Sequence, residues 1–226
     1  MDDKPEEESR DARRIRQTNE NYQALGEFII TFEEMIDATR RSCMFILSRG
    51  DFYGQKLANV ALHHRSMTAK PLLDIMIALY GTLLSDENVR NAKQIASTDA
   101  EAFKGVLNQI NKEASDLYET RNNLLHGTWF VGYGNEHTVD FSEFLLTKFT
   151  TSKEGLRLID GLPKSKTDLE GLSSRCRTMT DWINRVNGIW LFHGHLKITK
   201  NFKFNSASGQ WEKIAASPDK SPELPA

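Results

Sequence analysis

Apolar side chains recur every three or four residues along much of this chain, the spacing that places them on one face of a helix. The pattern predicts a first long helix from near Thr18 or Asn19, either of which can cap it, to Gly50. A second helical region follows over 52–85, where Pro71 predicts a kink or a junction between two helices. The core stripe of the first helix is Leu25, Phe28, Ile29, Phe32, Met35, Ile36, Cys43, Ile46 and Leu47.

Two capping-box patterns predict the starts of two further long helices. Thr98-Asp-Ala-Glu101 opens one that runs to about Leu125 or His126, with Gly127 as its C-terminal stop. Thr167-Asp-Leu-Glu170 opens another that ends near His193-Gly194. The polar residues 86–97 lie between the second helical region and the first of these two helices, and they predict a short helix or a loop.

Between 128 and 162 the helical spacing gives way to aromatic and β-branched runs, which are typical of strands. The sequence therefore predicts a mainly α protein, an antiparallel helical bundle with a small antiparallel β meander before the last long helix. The expected organisation is a disordered charged arm at 1–17, a bundle at 18–195 with its β insert at about 128–162, a hairpin at 196–214 and a disordered tail at 215–226.

Composition narrows the classes of function. The net charge of −2 lacks the overall basic field of a nonspecific nucleic-acid binder, so any such contact needs a local patch. No apolar run approaches the roughly 20 residues that span a bilayer, so we expect no membrane contact. Cys43 and Cys176 lie on apolar stripes and are typical of buried thiols in a reducing compartment, which favours the cytoplasm.

The polar end of the third long helix is the candidate active site. On a helical wheel Arg121 falls at the centre of the buried face, and a buried guanidinium is costly unless it is paired or borders a cavity or interface. Asn122 lies roughly 100° round the helix from Arg121, and His126 roughly 140°. Arg121 and His126 therefore converge on one ligand only if the helix end loosens at Gly127 or if two copies meet across a dimer interface.

These residue types support cleavage of a phosphodiester without metal. The imidazole of His126 can take a proton from a ribose 2′-hydroxyl or give one to the leaving oxygen. The guanidinium of Arg121 can neutralise charge that grows on the phosphoryl oxygens, and Asn122 can orient the His or the phosphate. The structural alternative is that Arg121 pairs with a buried acid, Glu33, Glu34 or Asp74, while His126 only caps the helix.

The motif Arg121-Asn122-Asn-Leu-Leu-His126 resembles the signature motif of the HEPN superfamily (higher eukaryotes and prokaryotes nucleotide-binding domains). That signature consists of an Arg, a polar residue, a few more residues and a His, and it lies on a helix of a small bundle. The resemblance implies a metal-independent endoribonuclease without a cofactor, dimeric, that acts on RNA in toxin–antitoxin or antiviral systems with an antitoxin or regulatory partner. It makes Arg121 and His126 catalytic and Asn122 supporting.

The resemblance leaves two points open. Some members of the superfamily are catalytically silent, so a nucleotide-binding or protein-interaction module is the alternative function. Toxins that their partner modifies have a Tyr two residues after the His, whereas this chain has Thr128, so that type of regulation is not expected.

Two other patterns in the sequence are candidate sites. His193-Gly-His195 lacks the accompanying Cys or acidic residues of a metal site, and the pattern favours a helix-end turn. In the 196–214 hairpin, lysines alternate with aromatic residues in a pattern that suits single-stranded RNA or, alternatively, a solvated edge hairpin blunted by lysines. The residues are Lys197, Lys200, Phe202, Lys203, Phe204, Trp211 and Lys213.

Overall fold

The computed structural model describes residues 8–48, 52–64, 67–135, 137–152, 155–158, 162–191 and 197–214. The helices are α1 (Arg10–Ser48), α2 (Phe52–Leu62), α3 (Ala69–Ser85), α4 (Glu87–Ala92), α5 (Ser97–His126) and α6 (Lys166–Leu191). The strands are β1 (Thr128–Phe130), β2 (Leu145–Thr147), β3 (Phe149–Ser152), β4 (Gly155–Leu158), β5 (Phe202–Asn205) and β6 (Gln210–Lys213). The protein is mainly α with small antiparallel β additions, as the sequence predicts.

The first helix begins eight residues earlier than its apolar stripe indicates. α1 starts at Arg10, so the prediction of a disordered arm over 1–17 is wrong for residues 10–17. Ion pairs hold this exposed end, because the carboxylate of Glu8 contacts Arg13 at 3.3 Å and Arg16 at 2.9 Å. Residues 1–7 lie outside the described residues, as does the predicted tail at 215–226.

The proline in the second helical region marks a junction of two helices. α2 ends at Leu62 and α3 begins at Ala69, which leaves Pro71 in the first turn of α3. A proline is tolerated there because the amides of a first turn have no partner inside the helix. In the following polar stretch, the side chain of Asp86 caps the short helix α4 by accepting from the amides of Asn88 and Val89.

α5 and α6 lie close to the predicted positions, but the cap of α6 is not the predicted one. Ser165 and Asp168 form a reciprocal capping box: the Asp168 amide donates to Ser165 Oγ at 3.3 Å, and the Ser165 amide donates to Asp168 Oδ2 at 3.1 Å. The box therefore lies two residues before Thr167-Asp-Leu-Glu170. The pattern missed it because Asp takes the place that the usual signature gives to Glu.

The β insert lies where the aromatic runs predict it, but as two ladders. β1 pairs with β2 and β3 pairs with β4, each antiparallel, and Lys148 separates β2 from β3. Near the C-terminus, β5 and β6 form the predicted hairpin, and Gly209 takes a positive φ of 66° in its turn.

The chain divides into two compact units, and α1, α5 and α6 each contribute residues to both. Unit 1 comprises Met1–Asp37 and Ala114–Thr180. Its core includes the ring pair Phe28 and Phe32, with Leu117, Leu124 and Cys176 fully buried. Two ion pairs, Glu20 with Lys166 and Glu27 with Arg177, show that α1 and α6 run in the same direction in this unit. The expected antiparallel packing does not hold for this helix pair.

Unit 2 comprises Ala38–Glu113 and Asp181–Ala226, and its core is centred on Tyr80. The ring of Tyr80 packs against Phe103 and Trp190, with centroids 5.6 and 5.7 Å away. Its hydroxyl lies 3.0 Å from that of Ser42 and donates to Asn187 at 3.4 Å. Among the described helices, none is long and apolar enough to cross a bilayer.

Candidate active site at the end of α5

The C-terminus of α5 is closed by residues that follow it. The indole Nε1 of Trp129 donates to the carbonyl of Leu124 at 2.7 Å and so satisfies an acceptor that the helix leaves open. A side chain at Gly127 would overlap Leu146 and lie 2.9 Å from the carbonyl oxygen of Asn123. Gly127 follows the helix as predicted, but it does not have the left-handed conformation of a C-terminal glycine cap, so its role is to leave space.

Arg121 lies at the edge of the unit 1 core and not at its centre. Its side chain is 27% exposed, whereas Leu117 and Leu124 on either side are fully buried. The guanidinium lies 5.6 Å from the centre of the Phe32 ring and contacts the carboxylate of Glu33 at 3.2 Å. A long side chain can bury its stem and keep its charged end near water, which the wheel does not show.

The guanidinium retains hydrogen-bonding capacity. Arg121 Nη1 donates to Asn122 Oδ1 at 3.5 Å, and Arg121 Nε is buried with no hydrogen-bond partner. The carboxylate of Glu33 is 56% exposed, so the ion pair borders solvent. Of the three acids that the sequence offered to Arg121, Glu33 is the partner, but it is exposed and is not the buried acid that the structural alternative requires.

His126 is the last residue of α5 and is exposed. In the described part of the chain, its ring makes no hydrogen bond or ion pair. The structure brings Asn122 to Arg121, but it does not bring His126 to either residue. Arg121 and Asn122 therefore form a hydrogen-bonded pair that Phe32 and Glu33 contact. The imidazole of His126 is separate from this pair and faces solvent.

One polar residue at this helix end was not foreseen. Lys148 Nζ donates to Asn123 Oδ1 at 2.8 Å and ties the junction between β2 and β3 to α5. The two residues are 25 positions apart, and no local pattern in the sequence signals such a contact.

The β1–β2 ladder follows directly and presents an aromatic surface. Phe130 and Tyr133 are exposed, with ring centroids 6.0 Å apart in a T-shaped arrangement. They line a cavity of about 520 Å³ together with Leu145 and Lys164. The remaining lining residues are Glu143 and Phe144.

The C-terminal hairpin fits the solvated-edge interpretation better than RNA binding. Lys203 pairs with Glu212 at 3.6 Å, and Lys213 pairs with Asp181 at 2.5 Å, which neutralises two of its lysines. Phe202 is buried against Trp182. The indole of Trp211 lies over Gly105 of α5, where an added Cβ would meet it at 2.5 Å.

The described residues contain no cluster of three or more His, Cys, Asp or Glu side chains that could hold a metal ion. His193 and His195 lie outside the described residues. Both cysteines are free and buried, and burial raises the pKa of Cys43 and Cys176 to about 12. Neither thiol is therefore activated as a nucleophile at neutral pH.

Comparisons of the chain with models of protein families, with curated proteins and with solved structures found no match.

Proposed function

We propose that this protein is a metal-independent endoribonuclease of the HEPN type, with Arg121 and His126 as its catalytic residues and Asn122 in support. The observation that carries the proposal is the exposed imidazole of His126, without a partner in the described chain, five residues after an Arg that is held in place but not enclosed. A catalytic acid or base needs access to its substrate, and His126 has it.

The proposed chemistry assigns one task to each side chain. His126 transfers a proton to or from the reacting oxygens of the RNA backbone. Arg121 stabilises the charge on the phosphoryl oxygens through its exposed edge, while the ring of Phe32 supports the guanidinium plane. Asn122 accepts a hydrogen bond from Arg121 and so positions that guanidinium.

A complete site requires a second copy of the chain. On one α5 helix, Arg121 and His126 are rotated about 140° from each other, and no contact joins their side chains among the described residues. A homodimer that brings two α5 ends together supplies both a second imidazole and a second guanidinium. Proton abstraction and proton donation then fall to different histidines.

The biological setting that fits this activity is growth control or antiviral defence in the cytoplasm. A ribonuclease of this type is harmful to its own cell unless it is restrained. An antitoxin or another regulatory protein is therefore part of the proposal, with RNA as the substrate.

The decisive experiment measures RNA cleavage by the purified protein in the presence of a chelator. Arg121→Ala and His126→Ala should each lower the cleavage rate by about 100-fold or more, the usual contribution of a proton-transfer or charge-stabilising group. His63→Ala is the matched control, since His63 is also an exposed histidine at a helix end but belongs to unit 2. Unchanged cleavage by both variants, or a strict requirement for a divalent metal, would overturn the proposal.

The Arg121–Glu33 ion pair favours a second candidate, a catalytically silent nucleotide-binding or protein-interaction module of the same type. In that case Arg121 only supports the helix end. Glu33→Gln separates the two candidates, because it frees the guanidinium while keeping the size of its neighbour. The ribonuclease should keep or gain cleavage activity in this variant. A silent module cleaves no RNA, either as the wild type or as Glu33→Gln. Its expression also causes no toxicity that His126→Ala would relieve.

A further inference from the structure

The outward face of the β1–β2 ladder carries the exposed aromatic side chains next to the candidate site. Side chains alternate along a strand, so Trp129 points inward while Phe130 points outward. Phe130 pairs directly with Leu145 in the ladder, and this partner is exposed as well. Beyond the strand, the ring of Tyr133 is 80% exposed and stands edge-on to Phe130.

Two cavities in unit 1 meet at Lys164. The first, of about 520 Å³, is the aromatic cavity lined by Phe130 and Tyr133. The second, of about 550 Å³, extends along α5 and α6 and is lined by Thr120 and Arg175 among others. Because Lys164 lines both, the two cavities adjoin at this side chain. Together they are called the groove, and their lining extends from the aromatic rings to Thr120, which precedes Arg121 on α5.

Lys164 is the cation that the groove offers to an anionic ligand, and the lining carries three acidic residues and two basic ones. The ammonium of Lys164 is exposed and has no ion-pair partner among the described residues. Of the acids that line the groove, Asp116 pairs with Arg175 at 2.5 Å, and Asp168 accepts from the amides of Lys164 and Ser165. Glu143, the third acid, lines the aromatic cavity and limits how much negative charge fits at that end.

The aromatic end of the groove is held in position by the first turns of α1. The side chain of Gln17 donates to Asp140 at 2.8 Å and accepts from the Phe141 amide at 2.7 Å. Arg10 donates to the carbonyl of Thr138 at 2.8 Å and lies over the ring of Phe141. The loop after Phe130 is thus fastened at several points, which lowers the cost of ordering it around a ligand.

We propose that this groove binds single-stranded RNA, with an unpaired base stacked on Tyr133 and Phe130 and a backbone phosphate at Lys164. Exposed rings on the outward face of a small sheet are a recurrent means of holding unpaired bases, and a nearby lysine neutralises the backbone. Phe130 follows His126 by four residues, so their Cα atoms are within about 14 Å, and one strand can reach both. The choice of RNA rests on the proposed ribonuclease function.

The test measures binding separately from cleavage. The parent protein for binding is the His126→Ala variant, and the probe is a fluorescein-labelled single-stranded oligoribonucleotide of mixed sequence, about 12 nucleotides long, followed by anisotropy. In this background Tyr133→Ala should weaken binding about tenfold, whereas Tyr133→Phe should bind like the parent because the stacking face is retained. Lys164→Met should reduce the slope of log K against log salt by about 0.7, the value for one phosphate contact with a single strand.

Matched controls come from the same chain. Tyr22→Ala removes another exposed tyrosine of unit 1, and Lys56→Met removes an exposed lysine of α2 in unit 2, so both should leave affinity and salt slope unchanged. Thermal unfolding of every variant checks that the fold is intact.

The outcomes separate this inference from the proposed function. If Tyr133→Ala binds as tightly as its parent, or if an RNA duplex competes as well as the single strand, the groove assignment is wrong even when the wild type cleaves RNA. The same holds if the parent binds no RNA, or if a peptide and not RNA depends on Tyr133. If binding depends on Tyr133 and Lys164 while the wild type shows no cleavage, the groove assignment stands and the ribonuclease proposal falls.

Discussion

Arg121 shows how far one residue can be placed from a helical wheel. The wheel correctly puts it in line with Leu117 on the core side of α5, but it treats the side chain as a point. The real side chain extends past the Phe32 ring to Glu33 at the surface. A sequence can therefore predict that such an Arg needs a partner, while the choice of Glu33 over Glu34 or Asp74 depends on the packing of another helix.

Replacement of Gly127 should destabilise the helix end that carries the candidate site. Gly127→Ala places a Cβ against Leu146 and the carbonyl of Asn123, so we expect a loss of about 1–3 kcal/mol in the free energy of unfolding. Urea denaturation measures it. Gly26→Ala is the control with the opposite sign: this helical glycine has open space around it, and alanine should stabilise α1 by about 0.5–1 kcal/mol. Equal effects at both positions would contradict the steric argument.

At the scale of elements, the helices were easier to predict than their ends. Long apolar stripes with three-four spacing locate α1, α5 and α6, because burial of such a stripe dominates helix stability in a folded protein. The start of α1 was missed because Arg10 to Gln17 have no apolar stripe and are held by contacts with Glu8 and with a loop more than 120 residues away. The strand pairs were located by composition, but the division falls at Lys148, which bonds to Asn123 on α5, and composition does not signal this contact.

The N-terminal cap of α6 can be assigned by mutation. Ser165→Ala removes the acceptor for the Asp168 amide and should cost about 0.5–2 kcal/mol of stability. Thr167→Ala, at the position that the sequence pattern favoured, should have a smaller effect because Thr167 lies inside the helix. Thermal or urea denaturation of both variants decides between the two caps, and a larger loss for Thr167→Ala would reject the Ser165 box.

On the scale of the whole molecule, the two thiols report on the integrity of each unit. Cys176 belongs to unit 1 and Cys43 to unit 2. Burial raises the pKa of both to about 12 from the ordinary 9.0, so the native thiols should resist a thiol reagent at pH 8 and react only after unfolding. Prompt reaction of either thiol in the native protein would contradict the burial of its unit.

The same pKa shifts predict the direction of a pH dependence. Because the folded pKa lies above the unfolded one, the neutral thiols contribute their full stability below about pH 9 and lose it as the pH rises toward 12. The urea midpoint should therefore fall between pH 8 and pH 11. Cys43→Ala and Cys176→Ala should each make that fall shallower.

The candidate site could be predicted only in part, because its completion depends on the whole molecule and not on one helix end. The sequence marks Arg121, Asn122 and His126 as unusual for a helix end, and the structure joins the first two. It separates His126 from Arg121 because a helix fixes the angle between residues five apart. His126 and Asn122 are one turn apart on the same face, but no hydrogen bond joins them in the described chain. What completes the site therefore lies in other parts of the molecule or in a second copy, and local spacing carries no information about either.

The division of the chain into interleaved units sets the order in which the protein can fold during synthesis. Unit 1 needs residues up to Thr180, although its first helix leaves the ribosome well before them. Arg10 meets its acceptor on Thr138 only after 128 further residues, which takes about 6–26 s at the usual 5–20 residues per second. Unit 2 waits longer still, because Gln109 must bind the backbone of Trp211 in the closing hairpin. During that interval the apolar stripe of α1 has no partner from the later helices of its unit, and such exposed apolar surface is prone to aggregate.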